Sequence, residues 1–301
     1  MAERILLDCD PGHDDAIALL LALAEPELEL VGVTTVAGNQ TLEKTTANAI
    51  RMLDLVDRTD VPVAAGADRP LVRDPFVAGY VHGESGLDGP DLPPPSREPL
   101  AQHAADFLAE HAKGTTLVAT GPLTNVALLL ALHPHARPNR IVLMGGAIAE
   151  GNVTPAAEFN IWCDPEAAAR VFGSGIDVTM IGLDVTHKAL FSKRHEERLH
   201  GEVGEVVKAL LDFYGRFHKQ QYGWDGSPIH DAVAVACVAR PELVTTLERG
   251  VKIETGSELS RGRTLVDLWG RARWEPNCHV GVDIDADGFL DLLVERLNSF
   301  Q

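Results

Sequence analysis

Short apolar segments alternate with longer amphipathic ones from the first residues to about position 186. The short segments are rich in β-branched residues and lack polar alternation, which is typical of parallel strands covered on both faces. They predict strands at residues 5–7, 30–36, 61–64, 116–119, 141–144 and 178–181. The segments between them predict helices at residues 15–24, 42–55, 100–111, 125–132 and 165–172. This alternation predicts an α/β fold built on a doubly wound, mostly parallel sheet.

The remainder of the chain is more helical. Its pattern predicts helices at residues 203–222, 230–238 and 288–297, and one late strand at residues 280–284. The turn before the last helix resembles half of a calcium-binding EF-hand loop, but its twelfth position is Val294, so we interpret it as a turn capped by Asp287. Because no internal repeat or strong linker interrupts the chain, residues 1–301 are predicted to form a single domain, a Rossmann-like sheet with additional C-terminal helices.

One connection, residues 66–99, is unusually long and rich in glycine and proline. Connections of this length within a compact domain are usually functional or disordered. This one carries Tyr80, His82 and Glu84 among its glycines. These side chains favour a lid or binding loop over a disordered spacer.

The composition limits the classes of partner. The 301 residues are 45% hydrophobic and carry a net charge of −18, which argues against binding to nucleic acid or to an anionic membrane. No N-terminal signal region is recognisable, and no apolar stretch of about 18 residues could span a membrane. The four cysteines form no CxxC pair and are predicted to be reduced thiols, so we expect a cytoplasmic protein.

Four carboxylates crowd the turn after the first predicted strand: Asp8, Asp10, Asp14 and Asp15. In open α/β sheets, ligands bind at the carboxyl ends of the strands. So many like charges cannot all stay ionised at low cost, and a hard cation such as Ca²⁺ or Mg²⁺ would neutralise them. Helix capping is the alternative explanation, but it accounts for Asp14 and Asp15 and leaves Asp8 and Asp10 unexplained.

Polar segments also follow later strands or begin later helices, at residues 37–39, 120–125, 144–160 and 230–231. The carbonyl of Thr120 would point out at the edge of the sheet, where it could ligate a cation. The third segment combines asparagine with glutamate, which suits the binding of vicinal hydroxyls because one side chain donates and the other accepts. Dinucleotide-binding, P-loop and serine-hydrolase motifs are absent from the sequence.

Taken together, these motifs resemble those of the nucleoside hydrolases of the inosine–uridine-preferring type. The resemblance is carried by the sequences DCDPGHDD at 8–15, AGN at 37–39, TGPLTN at 120–125, EFN at 158–160 and HD at 230–231, in the order and spacing of the family. It covers nearly the whole chain. It implies an enzyme that hydrolyses the N-glycosidic bond of ribonucleosides to free base and ribose, with a preference for pyrimidines or for inosine and uridine. It also implies a homo-oligomer, either a dimer or a tetramer.

The resemblance further implies a role for each matching residue. A Ca²⁺ ion would be held by Asp10, Asp15, the carbonyl oxygen of Thr120 and Asp231. Asp10 would be the general base on a calcium-bound water, and His230 would donate a proton to the departing base. The other matches would bind the substrate: the ribose at Asp14, Asn39, Met144, Glu158 and Asn160, its 5′-hydroxyl at Asn152, and the base at His82 together with His230.

Glycosidic cleavage needs residue types of this kind. The sugar becomes oxocarbenium-like in the transition state, so nearby carboxylates stabilise it. A metal ion lowers the pKa of a bound water, and a carboxylate removes the proton. The departing base needs a proton or a hydrogen bond, which histidine can supply near neutral pH.

Two alternatives remain open on the sequence alone. A Mg²⁺-dependent phosphohydrolase could use Asp8 or Asp10 as its nucleophile, but no lysine or arginine clamp for a phosphate stands beside these acids. A non-catalytic, Ca²⁺-linked sugar-binding protein would need only the metal and the polar loops. Tyr222 and Trp224 could stack on a base, but packing explains them equally well.

Overall fold

The structure of the protein is a computed structural model that describes residues 2–300. Its strands are β1 (Glu3–Cys9), β2 (Leu28–Thr35), β3 (Val63–Ala65), β4 (Thr116–Ala119), β5 (Arg140–Met144), β6 (Asp177–Ile181), β7 (Leu190–Phe191), β8 (Ser227–Pro228), β9 (Val244–Arg249), β10 (Val251–Ile253), β11 (Thr264–Val266) and β12 (Cys278–Ile284). Its helices are α1 (His13–Ala24), α2 (Leu42–Leu55), α3 (Gly79–His82), α4 (Ala104–His111), α5 (Thr124–Leu132), α6 (Phe159–Cys163), α7 (Pro165–Phe172), α8 (Leu183–Thr186), α9 (Lys193–Glu196), α10 (Gly201–Tyr222), α11 (Asp231–Ala239) and α12 (Ala286–Leu297).

Eight strands form one sheet in the order β3-β2-β1-β4-β5-β6-β12-β9. Neighbouring strands are parallel except for the antiparallel pair of β12 and β9. The strand order reverses between β1 and β4, and a crevice for ligands opens at the carboxyl ends of the strands at such a switch point. The predicted α/β fold, with its mostly parallel sheet and additional C-terminal helices, is confirmed.

Helices cover both faces of this sheet. Helices α1, α2, α10, α11 and α12 pack in the core on one face, and α4, α5 and α7 pack on the other. Alternate residues of β1 serve the two faces: Ile5 and Leu7 belong to the first core, and Leu6 belongs to the second. Helix α1 is buried along most of its length because it packs against α11 and its neighbours. The turn that leads into α1 is therefore firmly placed.

Most predicted elements are present, with shifted ends. Helices α2 and α7 and strand β4 have the predicted limits. The helix predicted to begin at residue 100 begins only at Ala104. His103 is its N-cap, with Nδ1 accepting a hydrogen bond from the N–H of Ala105 at 3.1 Å, and Leu100 forms a bridge with Ala64 beside β3.

Two features of the last third differ from the sequence prediction. Strands β9, β10 and β11 were not predicted, because they are antiparallel and carry exposed polar residues among the apolar ones. The predicted cap at Asp287 is wrong. Asp285 is the N-cap of α12, and its carboxylate accepts a hydrogen bond from the N–H of Gly288 at 3.0 Å.

Two global properties can be read directly from the described residues. Within residues 2–300, no helix has both the length and the apolarity required to cross a membrane. The four cysteines are buried and free, as expected for reduced thiols.

Candidate active site

The turn between β1 and α1 carries the predicted acids at the carboxyl edge of the sheet. Asp15, in the first turn of α1, accepts hydrogen bonds from the backbone N–H groups of Gly12 at 3.1 Å and Asp10 at 3.3 Å. Helix capping therefore explains part of the placement of Asp15. It does not explain the side chain of Asp10, which lies outside the helix.

The carboxylate of Asp10 is completely buried and only half satisfied. Its Oδ2 accepts a hydrogen bond from the N–H of Asn39 at 2.6 Å, whereas its Oδ1 has no hydrogen-bond partner among residues 2–300. Two glycines leave room for it: a Cβ at Gly121 would lie 2.6 Å from Oδ1, and a Cβ at Gly38 would collide with Oδ2. A buried carboxylate oxygen without a partner is costly unless a proton or a cation occupies it.

Further acids gather beside Asp10. Carboxylate oxygens of Asp14, Asp15 and Asp231 all lie within 4.8 Å of one another, so they could share one metal ion. Burial and the charge of Asp15 raise the pKa of Asp14 to about 8, and burial and the charge of Asp14 raise the pKa of Asp231. Asp10, a predicted metal ligand, is not a member of this group of three, whereas Asp14, predicted to bind ribose, is. Such a set of buried carboxylates fits a hard cation.

Glu158 holds the end of the loop between β5 and α6. It is the N-cap of α6: its Oε1 accepts a hydrogen bond from Asn160 N at 2.9 Å, and its Oε2 accepts from Gly146 N at 2.9 Å and Ile161 N at 3.2 Å. Burial raises the pKa of Glu158 to about 7. Because an ionised carboxylate offers about four acceptor positions, one remains for a substrate hydroxyl.

Two asparagines near this loop each have one end engaged by the protein. The Nδ2 of Asn160 donates to the carbonyl of Thr120 at 2.7 Å and to that of Met144 at 3.2 Å. The Thr120 carbonyl, a predicted metal ligand, thus accepts an amide hydrogen in this structure. The Oδ1 of Asn152 accepts a hydrogen bond from the N–H of Phe159 at 2.9 Å, so its Nδ2 is left to donate to a ligand.

These residues surround a cavity that is partly open to solvent, lined by polar side chains and aromatic rings. The predicted site residues that line it are Asp14, Asn39, His82, Thr120, Met144, Asn152, Glu158, Asn160, His230 and Asp231. Asp10 and Asp15 lie beneath its wall. Asn39 Nδ2 donates to Asp15 at 2.9 Å, and Thr120 Oγ1 donates to Asp15 at 2.8 Å. The structure therefore brings all the predicted residues together: ten line the cavity, and Asp10 and Asp15 lie behind them.

Several cavity residues were missed by the sequence analysis, namely His187, His218 and Tyr214. Tyr214, His218 and Tyr222 follow one another at intervals of four on α10, which places them on one face of the helix. This spacing was the available signal. Tyr222 lines the cavity, and Trp224 stacks on it with 4.5 Å between ring centroids. Both therefore belong to the wall of the cavity or to its support.

His230 is held by a residue that was not predicted. Its Nδ1 lies 2.7 Å from Oγ1 of Thr186, the last residue of α8. This hydrogen bond leaves Nε2 as the nitrogen available to a ligand. Burial, with smaller contributions from His187 and other histidines, lowers the pKa of His230, so its ring is less readily protonated than that of an exposed histidine.

His82 is supported by the ring of His13. The Nε2 of His13 lies 2.8 Å from the carbonyl of Asp88, which can only accept, so this nitrogen carries the hydrogen. The Nδ1 of His13 lies 3.1 Å from the Nδ1 of His82. The Asp88 carboxylate in turn accepts hydrogen bonds from Glu84 N and Ser85 N, both at 2.9 Å. The segment at residues 84–88 is thus a tight turn packed on α1. Helix α3, which precedes it, forms one wall of the cavity.

A family model described as inosine-uridine preferring nucleoside hydrolase matches residues 5–291. The chain belongs to this family. This nucleoside hydrolase is 53% identical, over the full length of both chains, to the pyrimidine-specific ribonucleoside hydrolase RihA of Escherichia coli. Its fold is similar to that of a purine-preferring ribonucleoside hydrolase from Gardnerella vaginalis, with a TM-score of 0.93 and 33% identity over 99% of each chain. It is also similar to a plant nucleoside hydrolase, the PpNRh1 enzyme, with a TM-score of 0.93 and 32% identity over 99% of this chain and 100% of the other.

These comparisons confirm the predicted family and the predicted activity. As a nucleoside hydrolase, the enzyme hydrolyses the N-glycosidic bond of ribonucleosides. The phosphohydrolase and the non-catalytic sugar-binding alternatives are therefore set aside. We call the buried acids Asp10, Asp14, Asp15 and Asp231 the acid cluster. Three of them, Asp14, Asp15 and Asp231, lie close enough together to share a metal ion.

Proposed function

We propose that this nucleoside hydrolase acts on pyrimidine ribonucleosides such as uridine and cytidine. The observation that carries the proposal is its 53% identity, over whole chains, to a pyrimidine-specific ribonucleoside hydrolase. The fold alone does not select the base, because the purine-preferring relative shares it. The histidines and aromatic rings of the cavity offer hydrogen-bonding groups and stacking surfaces that suit a small heteroaromatic base.

We further propose Ca²⁺ as the ion of the acid cluster, held by Asp10, Asp15, Asp231 and the carbonyl oxygen of Thr120. Support comes from the unpartnered Oδ1 of Asp10 and from the close approach of the Asp15 and Asp231 carboxylates. When bound, such an ion neutralises the acids, grips vicinal hydroxyls and lowers the pKa of a water molecule. Asp10 takes the proton from the attacking water, since its Oδ1 has no competing partner in the part of the chain that the structure describes.

In this proposal, polar side chains around the cavity bind the sugar. The residues assigned to the ribose are Asp14, Asn39, Glu158 and Asn160, with Met144 packed against the ring. The carboxylates of Asp14 and Glu158 oppose the positive charge that develops on the sugar as the glycosidic bond breaks. The Nδ2 of Asn152 donates to the 5′-hydroxyl, because its Oδ1 is already engaged by Phe159.

Two histidines are assigned to the base. His230 donates a proton from Nε2 to the departing base, and Thr186 fixes its ring through Nδ1. Because burial lowers the pKa of His230, the ring gives up a proton readily once it is protonated. His82 contacts the base from the opposite wall, with its ring supported by His13.

Three wider expectations also belong to the proposal. Residues 1–301 form a single catalytic domain, which is supported by the span of the family model over residues 5–291. The enzyme is a homo-oligomer, a dimer or a tetramer. It works in the cytoplasm, where its four free cysteines remain reduced.

The base preference can be tested with uridine, cytidine, inosine and adenosine. We expect kcat/KM for the two pyrimidine nucleosides to exceed that for the two purine nucleosides by about 10²-fold, because a site shaped for hydrogen bonds to one base leaves polar groups unpaired with another. The change in ultraviolet absorbance on hydrolysis measures each rate. Equal or faster turnover of inosine would overturn the preference and leave the glycosidic activity in place.

The role of His230 can be separated from binding by changing the leaving group. His230→Ala should lower kcat for uridine by about 10²-fold, because the departing base loses its proton donor. A nitrophenyl riboside, whose leaving group needs no proton, should be hydrolysed within about fivefold of the normal rate. The exposed His135 provides the control, and His135→Ala should change neither rate. Equal losses on both substrates would show that His230 is not the donor.

A further inference from the structure

A hairpin outside the predicted site contacts the loop that carries Asn152. Strands β10 and β11 form this hairpin, and Arg263 comes immediately before β11. The Arg263 guanidinium donates from Nη1 to the carbonyl of Ala149 at 2.6 Å and from Nη2 to that of Ile148 at 3.0 Å. A longer contact of 3.5 Å joins Nη1 to the carbonyl of Ala156. The guanidinium thus bridges the two ends of the loop at residues 148–156.

Asp184 holds the same loop through its N–H groups. The carboxylate of Asp184 accepts hydrogen bonds from the N–H of Ile148 at 2.6 Å and from that of Ala149 at 3.1 Å. A cation therefore binds the carbonyls of these two residues, and an anion binds their N–H groups. Hydrogen bonds to charged groups are roughly twice as strong as those between neutral groups. The first two residues of the loop are therefore held firmly in place.

The hairpin packs closely against its neighbours, and this packing fixes the position of the Arg263 backbone. Thr264, the next residue, is buried against the start of the loop, where a Cβ at Gly146 would lie 2.7 Å from its Oγ1. On the other side, a Cβ at Gly262 would lie 2.7 Å from the Cα of Trp162 in α6. These close contacts, one to the side chain of Thr264 and one to the backbone of Trp162, leave little freedom for the Cα of Arg263.

Asn152 lies between the two ends that Arg263 bridges, and it faces the cavity with Nδ2 free to donate. Arg263 itself does not line the cavity. We propose that Arg263 is a positioning residue that sets recognition of the nucleoside 5′-hydroxyl through Asn152. The inference rests on the proposed role of Asn152 as the ligand of that hydroxyl. It adds a residue outside the cavity to the determinants of sugar recognition.

The test compares uridine with 5′-deoxyuridine, which lacks only the hydroxyl in question. Arg263→Met should lower kcat/KM for uridine by about tenfold, the usual effect of losing one well-placed hydrogen bond, and should change kcat/KM for 5′-deoxyuridine by less than about twofold. Arg249 is a matched control, since it is also half-buried and donates to the carbonyls of Glu248 at 2.7 Å and Leu268 at 3.1 Å away from the cavity. Arg249→Met should leave kcat/KM unchanged for both substrates.

Equal losses on both substrates, or no loss on either, would overturn the inference, because a general weakening of the fold affects both alike. Asn152→Ala separates this failure from that of the proposed function. If Asn152→Ala lowers kcat/KM for uridine selectively and Arg263→Met does not, only the proposed role of Arg263 is wrong. If Asn152→Ala affects both substrates equally, Asn152 does not bind the 5′-hydroxyl, and the inference about Arg263 is wrong as well. Should Arg263→Met fail to fold, Arg263→Lys keeps the charge without the planar fork, and the same comparison should show about a threefold selective loss.

Discussion

Replacing Asp10 with asparagine is expected to lower kcat for uridine by about 10⁴-fold and to leave the fold intact. Asparagine has nearly the same shape, so its oxygen can still accept the hydrogen bond from Asn39 N. Its amide group cannot take a proton from water, and it removes the unpartnered carboxylate oxygen that we assign to the base and to the metal. Loss of ultraviolet absorbance of uridine measures the rate, and circular dichroism measures the fold.

Asp177 supplies the control for this substitution. It is an exposed carboxylate at the amino end of β6, on the edge of the sheet opposite the cavity. Asp177→Asn should leave kcat unchanged. A folded Asp10→Asn enzyme with a normal rate would rule out Asp10 as the general base.

Removal of divalent metal is expected to lower kcat/KM for uridine by at least about 10³-fold, because the ion contributes several kcal/mol of charge stabilisation. Dialysis against a chelator, with the residual metal measured by atomic emission, prepares the metal-free enzyme. Addition of Ca²⁺ should restore activity and raise the melting temperature, since a ligand that binds only the folded state stabilises it. Mg²⁺ should restore less activity, because it demands octahedral geometry and releases its waters reluctantly.

Asp231→Asn links this effect to the acid cluster. The variant should show a smaller rise in melting temperature on addition of Ca²⁺ than the unaltered enzyme, because it removes one charge from the group of Asp14, Asp15 and Asp231. Full activity in protein shown to be free of metal would overturn the calcium proposal, and an unaltered response to Ca²⁺ in Asp231→Asn would place the ion elsewhere.

The sequence predicted the sheet well because the buried parallel strands have a simple pattern. Strands covered on both faces are continuous apolar runs, so β1, β2, β4, β5 and β6 were recognisable without knowledge of their neighbours. Strands β9, β10 and β11 have exposed polar positions and depend on antiparallel partners far from the sheet's centre. Their pattern is that of an ordinary loop until the pairing is known.

The site was predictable where its residues form contiguous motifs. The acids of the β1–α1 turn, the residues from 158 to 160, and His230 with Asp231 all lie at the carboxyl edge or line the cavity, as expected. His187, which directly follows α8, belongs to no motif and was missed for that reason. His218 and Tyr214 were missed because histidine and tyrosine at helical spacing usually indicate packing. Only the tertiary structure shows that this face of α10 meets the cavity. Arg263 gave no signal at all, because its contacts are to backbone carbonyls more than 100 positions away.

The two sides of the cavity differ in how much substitution they can accommodate. On one side, Asp10 packs directly against Gly38 and Gly121, and a methyl group at either glycine would collide with its carboxylate. The opposite wall consists of side chains on α3 and α10 and of His187, which can be exchanged without moving the main chain. Point substitutions on this wall can therefore change which heterocycle is accepted, whereas the turns that carry the acids have no room for larger side chains. New specificities should arise in this scaffold far more often than new reactions.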